Sequence, residues 1–144
     1  MEKLDNISFE KMASPYLMGG YKTDCVNVDD ILYDENSIIA ILSISDYFMP
    51  SDGRYHFTAF HTQLIVSQLQ MIHMYLLQGI DKKPGEAYMR DFTMKLTHQI
   101  NKTKGIKIQL TRKKIRETGK GTYMKYDFDV ENGSFSGNCS GLQL

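Results

Sequence analysis

The sequence predicts an α+β domain in which one long helix is wrapped by an antiparallel sheet. Three observations carry that expectation. Thr58 to Leu77 is a stretch of twenty residues with neither Gly nor Pro. Runs of strand character lie on both sides of it. Turn residues separate those runs at short intervals.

Taken in order, residues 1–18 form a short helical or extended lead-in that ends at the turn pair Gly19-Gly20. Val26 to Leu32 is expected as a first strand, broken by Asp34-Glu35-Asn36. Ser37 to Tyr47 (SIIAILSISDY) is rich enough in β-branched residues for a buried strand. Loop chemistry from Phe48 to Gly53 (FMPSDG) then interrupts it.

The helix reads TAFHTQLIVSQLQMIHMYLL, dominated by helix formers. Phe60, Leu64, Leu69, Ile72 and Leu76 recur at helical spacing as one stripe. Ile65, Val66, Met71, Met74, Tyr75 and Leu77 widen it until little of the surface is polar. Such a helix is expected to be buried nearly all round, with Gly79 as its C-cap.

Strand-like runs follow. They are Glu86 to Ile100, Ile106 to Glu117, Thr122 to Val130 and Ser134 to Leu142. The turn segments Asn101–Gly105, Gly119-Lys120-Gly121 and Asn132-Gly133 separate them. Strands, a long apolar helix, then a meander of long strands is the order of a hotdog fold. One domain over residues 1–144 is expected, since no repeat, linker or low-complexity tract divides the chain. A sheet wrapped round one helix leaves an edge strand that tends to pair with another chain. A homo-oligomer, a dimer or higher, is therefore expected.

Lys plus Arg and Asp plus Glu number 17 each, so the formal net charge is zero. A broad attraction to nucleic acid or to an anionic membrane is not expected. Cys25 and Cys139 lie far apart and form neither a CxxC nor a Cys/His ligand spacing, which fits free thiols in a reducing cytoplasm and no bound metal. Met1 to Met12 lacks a signal-length apolar run. No stretch reaches the roughly 20 apolar residues of a membrane span.

Polar residues gather at the loop and first turns of the helix, including Tyr47, Asp52, His56, Thr58, His61, Ser67 and Gln68. A helix N-terminus presents unpaired N–H groups and a partial positive charge. Those suit a thioester carbonyl, whose oxygen becomes negative under nucleophilic attack. His56 precedes the helix and His61 lies one turn inside it; either can serve as a base near neutral pH, or simply cap the helix. Ser67 and Gln68 interrupt an apolar stretch, where a serine commonly bonds the carbonyl one turn back. Asp52 and Gly53 belong to a Ser-Asp-Gly turn and, with Thr58 and Gln68, are candidates for substrate binding. The basic run Arg112-Lys113-Lys114 with Arg116 reads as a solvated strand face, or as a contact for carrier phosphates. No phosphate-binding Gly-rich loop and no GxSxG nucleophile turn occurs.

The segment Gly53-Arg54-Tyr55-His56-Phe57-Thr58-Ala59, running on to Val66-Ser67-Gln68-Leu69, resembles the helix entry of the FcoT-like long-chain fatty acyl-CoA thioesterases. Pro15-Tyr16, Ser37-Ile38-Ile39-Ala40 and Tyr123 to Ser140 are similar in the same order. The resemblance implies a hotdog thioesterase that acts on a fatty acyl thioester of coenzyme A or a carrier protein, without metal or organic cofactor. It also implies catalysis without the carboxylate of other hotdog thioesterases, with tyrosines and a helix asparagine positioning water. Tyr16 matches one such tyrosine and Tyr47 falls near the other. Ser67 stands at the asparagine position, Thr58 replaces an asparagine at the helix entry, and His61 occupies a glutamate position.

Two other functions compete with hydrolysis. A hotdog dehydratase would combine His56 with a carboxylate, which the helix lacks and Asp52 would have to supply. A non-catalytic acyl-binding or scaffold protein would need none of these side chains.

Overall fold

The computed structural model describes residues 1–12, 25–47, 49–80 and 85–144. The elements in chain order are α1 (Asn6–Met12), β1 (Cys25–Tyr33), β2 (Ser37–Ser45), α2 (Ala59–Leu77), β3 (Ala87–Leu96), β4 (Ile106–Thr118), β5 (Gly121–Val130) and β6 (Phe135–Gln143). The six strands form one sheet in the order β1-β2-β4-β5-β6-β3, with every neighbouring pair antiparallel. Helix α2 lies across it and touches β2 to β6. The turn pair Gly19-Gly20 and the segment around Tyr16 lie outside the described residues, as does Phe48.

Alternation builds the inner face. Ile38, Ala40, Leu42 and Ile44 of β2, Ile106, Ile108 and Leu110 of β4, and Met124, Tyr126, Phe128 and Val130 of β5 are all buried. Side chains one position out of step face away from the helix. Between β5 and β6 the inward partners are small: Gly137 stands opposite Phe128 and Gly141 opposite Met124. A Cβ on Gly137 would lie 1.8 Å from the Thr93 carbonyl oxygen, so the β3–β6 pairing requires glycine there.

The helix departs from the expectation of burial all round. Its buried residues are His61, Thr62, Ile65, Val66, Leu69, Gln70, His73 and Met74, a stripe of period near 3.6. Four of the eight are polar, and each polar one must find a partner. Phe60 and Leu64 lie on the opposite side, 63% and 54% exposed. The sheet supplies one wall for α2.

Both helix ends are built locally. Thr58 is the N-cap, in extended conformation. Gly79, with φ of +68°, stands one residue beyond the C-cap Gln78. Its N–H donates to the Leu76 carbonyl (3.2 Å) while that of Ile80 donates to the Tyr75 carbonyl (2.8 Å), the paired bonds of a Schellman motif. Strand β3 ends at Leu96 rather than at Ile100, because the amides of Thr97 and His98 leave the ladder for the Ser134 carbonyl. Strand β2 ends at Ser45, since Asp46 turns to φ of +52° and puts Tyr47 outside the sheet.

Candidate functional site

The loop before α2 and the segment after β3 run side by side. The Phe57 N–H donates to the Ile100 carbonyl at 2.9 Å, and the Asn101 side-chain amide donates to the Tyr55 carbonyl at 2.9 Å. The same Asn101 nitrogen lies 3.2 Å from His56 Nδ1, and His56 Nε2 lies 3.1 Å from an Asp52 carboxylate oxygen. An amide nitrogen only donates, so Nδ1 accepts and the ring proton sits on Nε2, directed at Asp52. Asp52 also accepts the Arg54 N–H at 2.9 Å. That backbone bond first, with the His56 bond behind it, holds the Asp52 carboxyl below its ordinary range. The Asp52–His56–Asn101 chain fixes an imidazole at the entrance to the helix.

His61 does different work. It is 4% exposed, stacks on Phe57 with ring centroids 5.3 Å apart, and its Nδ1 accepts the Thr58 N–H at 3.0 Å. That is the return half of a capping box, with an imidazole where a glutamate or glutamine usually serves. Thr62 closes the first turn through its hydroxyl, which donates to the Thr58 carbonyl at 3.0 Å.

Three clefts surround these residues. A cleft of about 310 Å³ lies against the first turn of α2, with His56, Thr58, Thr97, His98 and Gln99 as its polar members and Phe57, Leu96 and Phe135 among its apolar walls. On the other side of His56 lies a cleft of about 550 Å³ that includes Tyr47, Gly53, Arg54, Lys102 and Lys104. The Tyr47 and Tyr55 rings meet there edge to face, 4.7 Å apart. A third cleft, of about 470 Å³, runs between the outer side of α2 and β3, with Phe60, Leu64, Ser67, Gln68 and Met89 in its lining.

The structure thus brings Tyr47, Asp52, Gly53, His56, Thr58 and His61 to one end of the helix. Ser67 and Gln68 stand elsewhere. Ser67 follows Thr58 by nine residues, about 14 Å along the axis. Its hydroxyl donates to the Leu64 carbonyl at 2.7 Å, one turn back. Tyr16 lies outside the described residues. No group of three or more metal-ligating side chains occurs among the described residues, and no described helix is long and apolar enough to cross a membrane.

Two polar side chains central to the arrangement carried little signal in the sequence. Asn101 reads there only as a turn residue. His73 is fully buried, with Nδ1 2.8 Å from the Tyr126 hydroxyl and Nε2 2.8 Å from the Asp34 carbonyl oxygen. Its place four residues after Leu69 and eight after Ile65 puts it on the buried stripe, and that spacing was the available clue.

No family model matches the sequence, and no curated protein matches it. Solved structures do. A point variant of a thioesterase from Pseudomonas aeruginosa shares the fold with a TM-score of 0.59 at 11% identity, over 98% of this chain and 94% of that one. A variant of a hypothetical protein from Staphylococcus aureus matches with a TM-score of 0.46 at 12% identity, over 81% and 91% of the two chains. A thioesterase from Haemophilus influenzae also gives 0.46, at 11% identity over 99% and 94%. The six-stranded antiparallel sheet with one long helix is the hotdog fold of the first of these.

Proposed function

We propose that the protein is a hotdog thioesterase, of the FcoT-like kind, that hydrolyses a fatty acyl thioester bound at the N-terminus of α2. The observation that carries this reading is the apolar cleft against the first turn of α2, with the Asp52–His56–Asn101 chain at its rim. An acyl chain suits walls made by Phe57, Leu96 and Phe135. The partial positive charge at the N-terminal end of α2 stabilises the oxygen as water adds to the thioester carbonyl. The carbon–sulfur bond then breaks and the thiol leaves with a proton. His56 takes the proton of water at Nδ1 once Asn101 gives up its bond, while Asp52 stabilises the imidazolium that results. Arg54 and Lys104 in the neighbouring cleft suit the phosphates of a coenzyme A or carrier-protein arm, whereas Lys102 there is already paired with Glu131 at 2.9 Å.

The active form in this reading is a homodimer. Strand β3 is a sheet edge among the described residues, and the exposed Leu64 lies along the cleft beside it. Pairing β3 with its copy continues the sheet and sets the partner beside Leu64. Ser67 and Gln68 then face the partner, which is how residues about 14 Å from the helix entry enter a site.

A second reading is favoured by the 3.1 Å contact of His56 with Asp52. A histidine and a carboxylate together can remove water from a β-hydroxyacyl thioester. Thiol release from acyl-CoA substrates of graded chain length separates the two. Hydrolysis predicts free thiol that falls at least about a hundredfold in His56→Ala. Formation of an enoyl thioester without thiol release would select the dehydratase.

A further inference from the structure

We propose that the outer face of the sheet carries a binding site for a nucleoside phosphate, separate from the entry to α2. A cleft of about 510 Å³ opens there among Arg90, Asp91, Arg116, Lys120, Tyr123 and Leu142. Its volume is that of a small-molecule site rather than a flat docking face.

Two strand irregularities build it. In β4 the inward residues are Ile106, Ile108 and Leu110, so strict alternation would turn Arg116 toward the helix. The register shifts between Arg112 and Lys114, and beyond it Ile115 pairs with the buried Met124 while Arg116 pairs with the outward Tyr123. In β3 a second shift between Met89 and Asp91 takes Arg90 out of the ladder. Bulges of this kind re-aim side chains, and both deliver an arginine to the same cleft. The β4–β5 turn adds Lys120.

The charges are not spent on one another. Two other cations on β4 have carboxylate partners: Arg112 lies 3.9 Å from Glu35 and Lys113 lies 3.3 Å from Asp127. Arg90, Arg116 and Lys120 make no ion pair with any described residue. The acid of the cleft, Asp91, accepts the Ser140 hydroxyl at 3.1 Å. Lys114 and Lys125, paired across the same strands, add to the positive potential.

The remaining chemistry selects the ligand. The Arg116 guanidinium lies 5.6 Å from the Tyr123 ring centroid, a cation–aromatic pair that offers a flat surface for a planar base. Leu142 gives the cleft an apolar member. Arginines bind phosphate oxygens in bidentate fashion. A formal net charge of zero over the chain disfavours an extended polyanion, so a compact ligand with clustered phosphates and one aromatic base is the match.

Calorimetric titration of the intact protein with ADP, pyrophosphate and adenosine tests this without any thioester, so its outcome is independent of the hydrolase reading. ADP is expected to bind more tightly than either half. Arg90→Gln and Arg116→Gln are each expected to weaken ADP about tenfold or more, with folding checked by circular dichroism. Tyr123→Leu should weaken ADP while pyrophosphate affinity stays within about twofold. Lys113→Gln, on the same strand but already paired, should leave ADP affinity unchanged. The proposal is overturned if ADP gives no heat at millimolar concentration. It is equally overturned if Lys113→Gln weakens ADP as much as Arg116→Gln, or if pyrophosphate binds as tightly as ADP and Tyr123→Leu changes neither.

Discussion

The bond between His73 and Tyr126 pins the helix to the centre of the sheet, and removing the Tyr126 hydroxyl measures that bond. Both side chains are fully buried, and the hydroxyl lies 2.8 Å from Nδ1. With Nε2–H donated to the Asp34 carbonyl, Nδ1 is an acceptor whose donor among the described residues is the phenol. Tyr126→Phe keeps the ring and its packing and leaves that acceptor dry, which costs about 1–2 kcal/mol. His73→Leu removes the ring and leaves both the hydroxyl and the Asp34 carbonyl unpaired. The carbonyl is nearer solvent, so the hydroxyl and the lost packing dominate a total of about 3–4 kcal/mol. The double variant should cost about 2–3 kcal/mol less than the sum, because it leaves neither an orphaned Nδ1 nor an orphaned hydroxyl. Urea unfolding at neutral pH reads all four corners of the cycle, and Tyr126→Phe should lower Tm by about 3–6 °C. Alkali gives an independent check. Burial pushes the Tyr126 phenol well above its ordinary value of 10.0, so its contribution is complete below that value and is lost as pH rises beyond it. Tyr126→Phe should therefore flatten the alkaline limb above pH 10, leaving the part due to Cys139. Wild-type stability in Tyr126→Phe, together with an alkaline limb of unchanged steepness, would refute the reasoning.

Burial, helped by the Asp127 carboxylate, pushes the Cys139 thiol up to about 12, whereas Cys25 is exposed. Ellman's reagent at pH 8 should thus titrate Cys25 quickly and Cys139 only after unfolding; two fast thiols in the native protein would contradict the core assignment. Gly137→Ala forces a Cβ against the Thr93 carbonyl and should cost several kcal/mol, read by denaturant unfolding, with hydrogen exchange accelerated first in β3. Leu64→Glu changes a residue 54% exposed in the single chain, so it should leave the monomer folded while shifting sedimentation from dimer to monomer. An unchanged sedimentation coefficient would remove the pairing through β3.

The strands were legible because β2 and β5 alternate cleanly and β4 does so in its first half, and Asp34-Glu35-Asn36, Gly119-Lys120-Gly121 and Asn132-Gly133 carry turn chemistry of their own. The helix limits followed from Thr58 and Gly79 for the same local reason. What misled was apolar content without phase. Phe60 and Leu64 look like core in composition, yet the buried stripe runs through His61, Ile65, Leu69 and His73. Of its four polar residues His61 and Thr62 bond Thr58 locally, whereas His73 and Gln70 find Tyr126 and the Cys139 thiol on the sheet, 53 and 69 residues away. No local pattern encodes such pairings. At the helix entry, His56 and Asp52 were legible as neighbours four residues apart, whereas Asn101 joins them only through the chain crossing at Phe57 and Ile100. The two bulges escaped notice because a register shift depends on the facing strand.

The central claim is that a fatty acyl thioester is cleaved at the entry to α2. Thiol release from acyl-CoA substrates of graded chain length, with wild type, His56→Ala and Asp52→Asn side by side, tests it most directly. The account predicts turnover that peaks within a range of chain lengths, falls at least about a hundredfold in His56→Ala and falls less in Asp52→Asn. Thiol release that is undiminished in His56→Ala, or absent from every substrate with wild type, would contradict it.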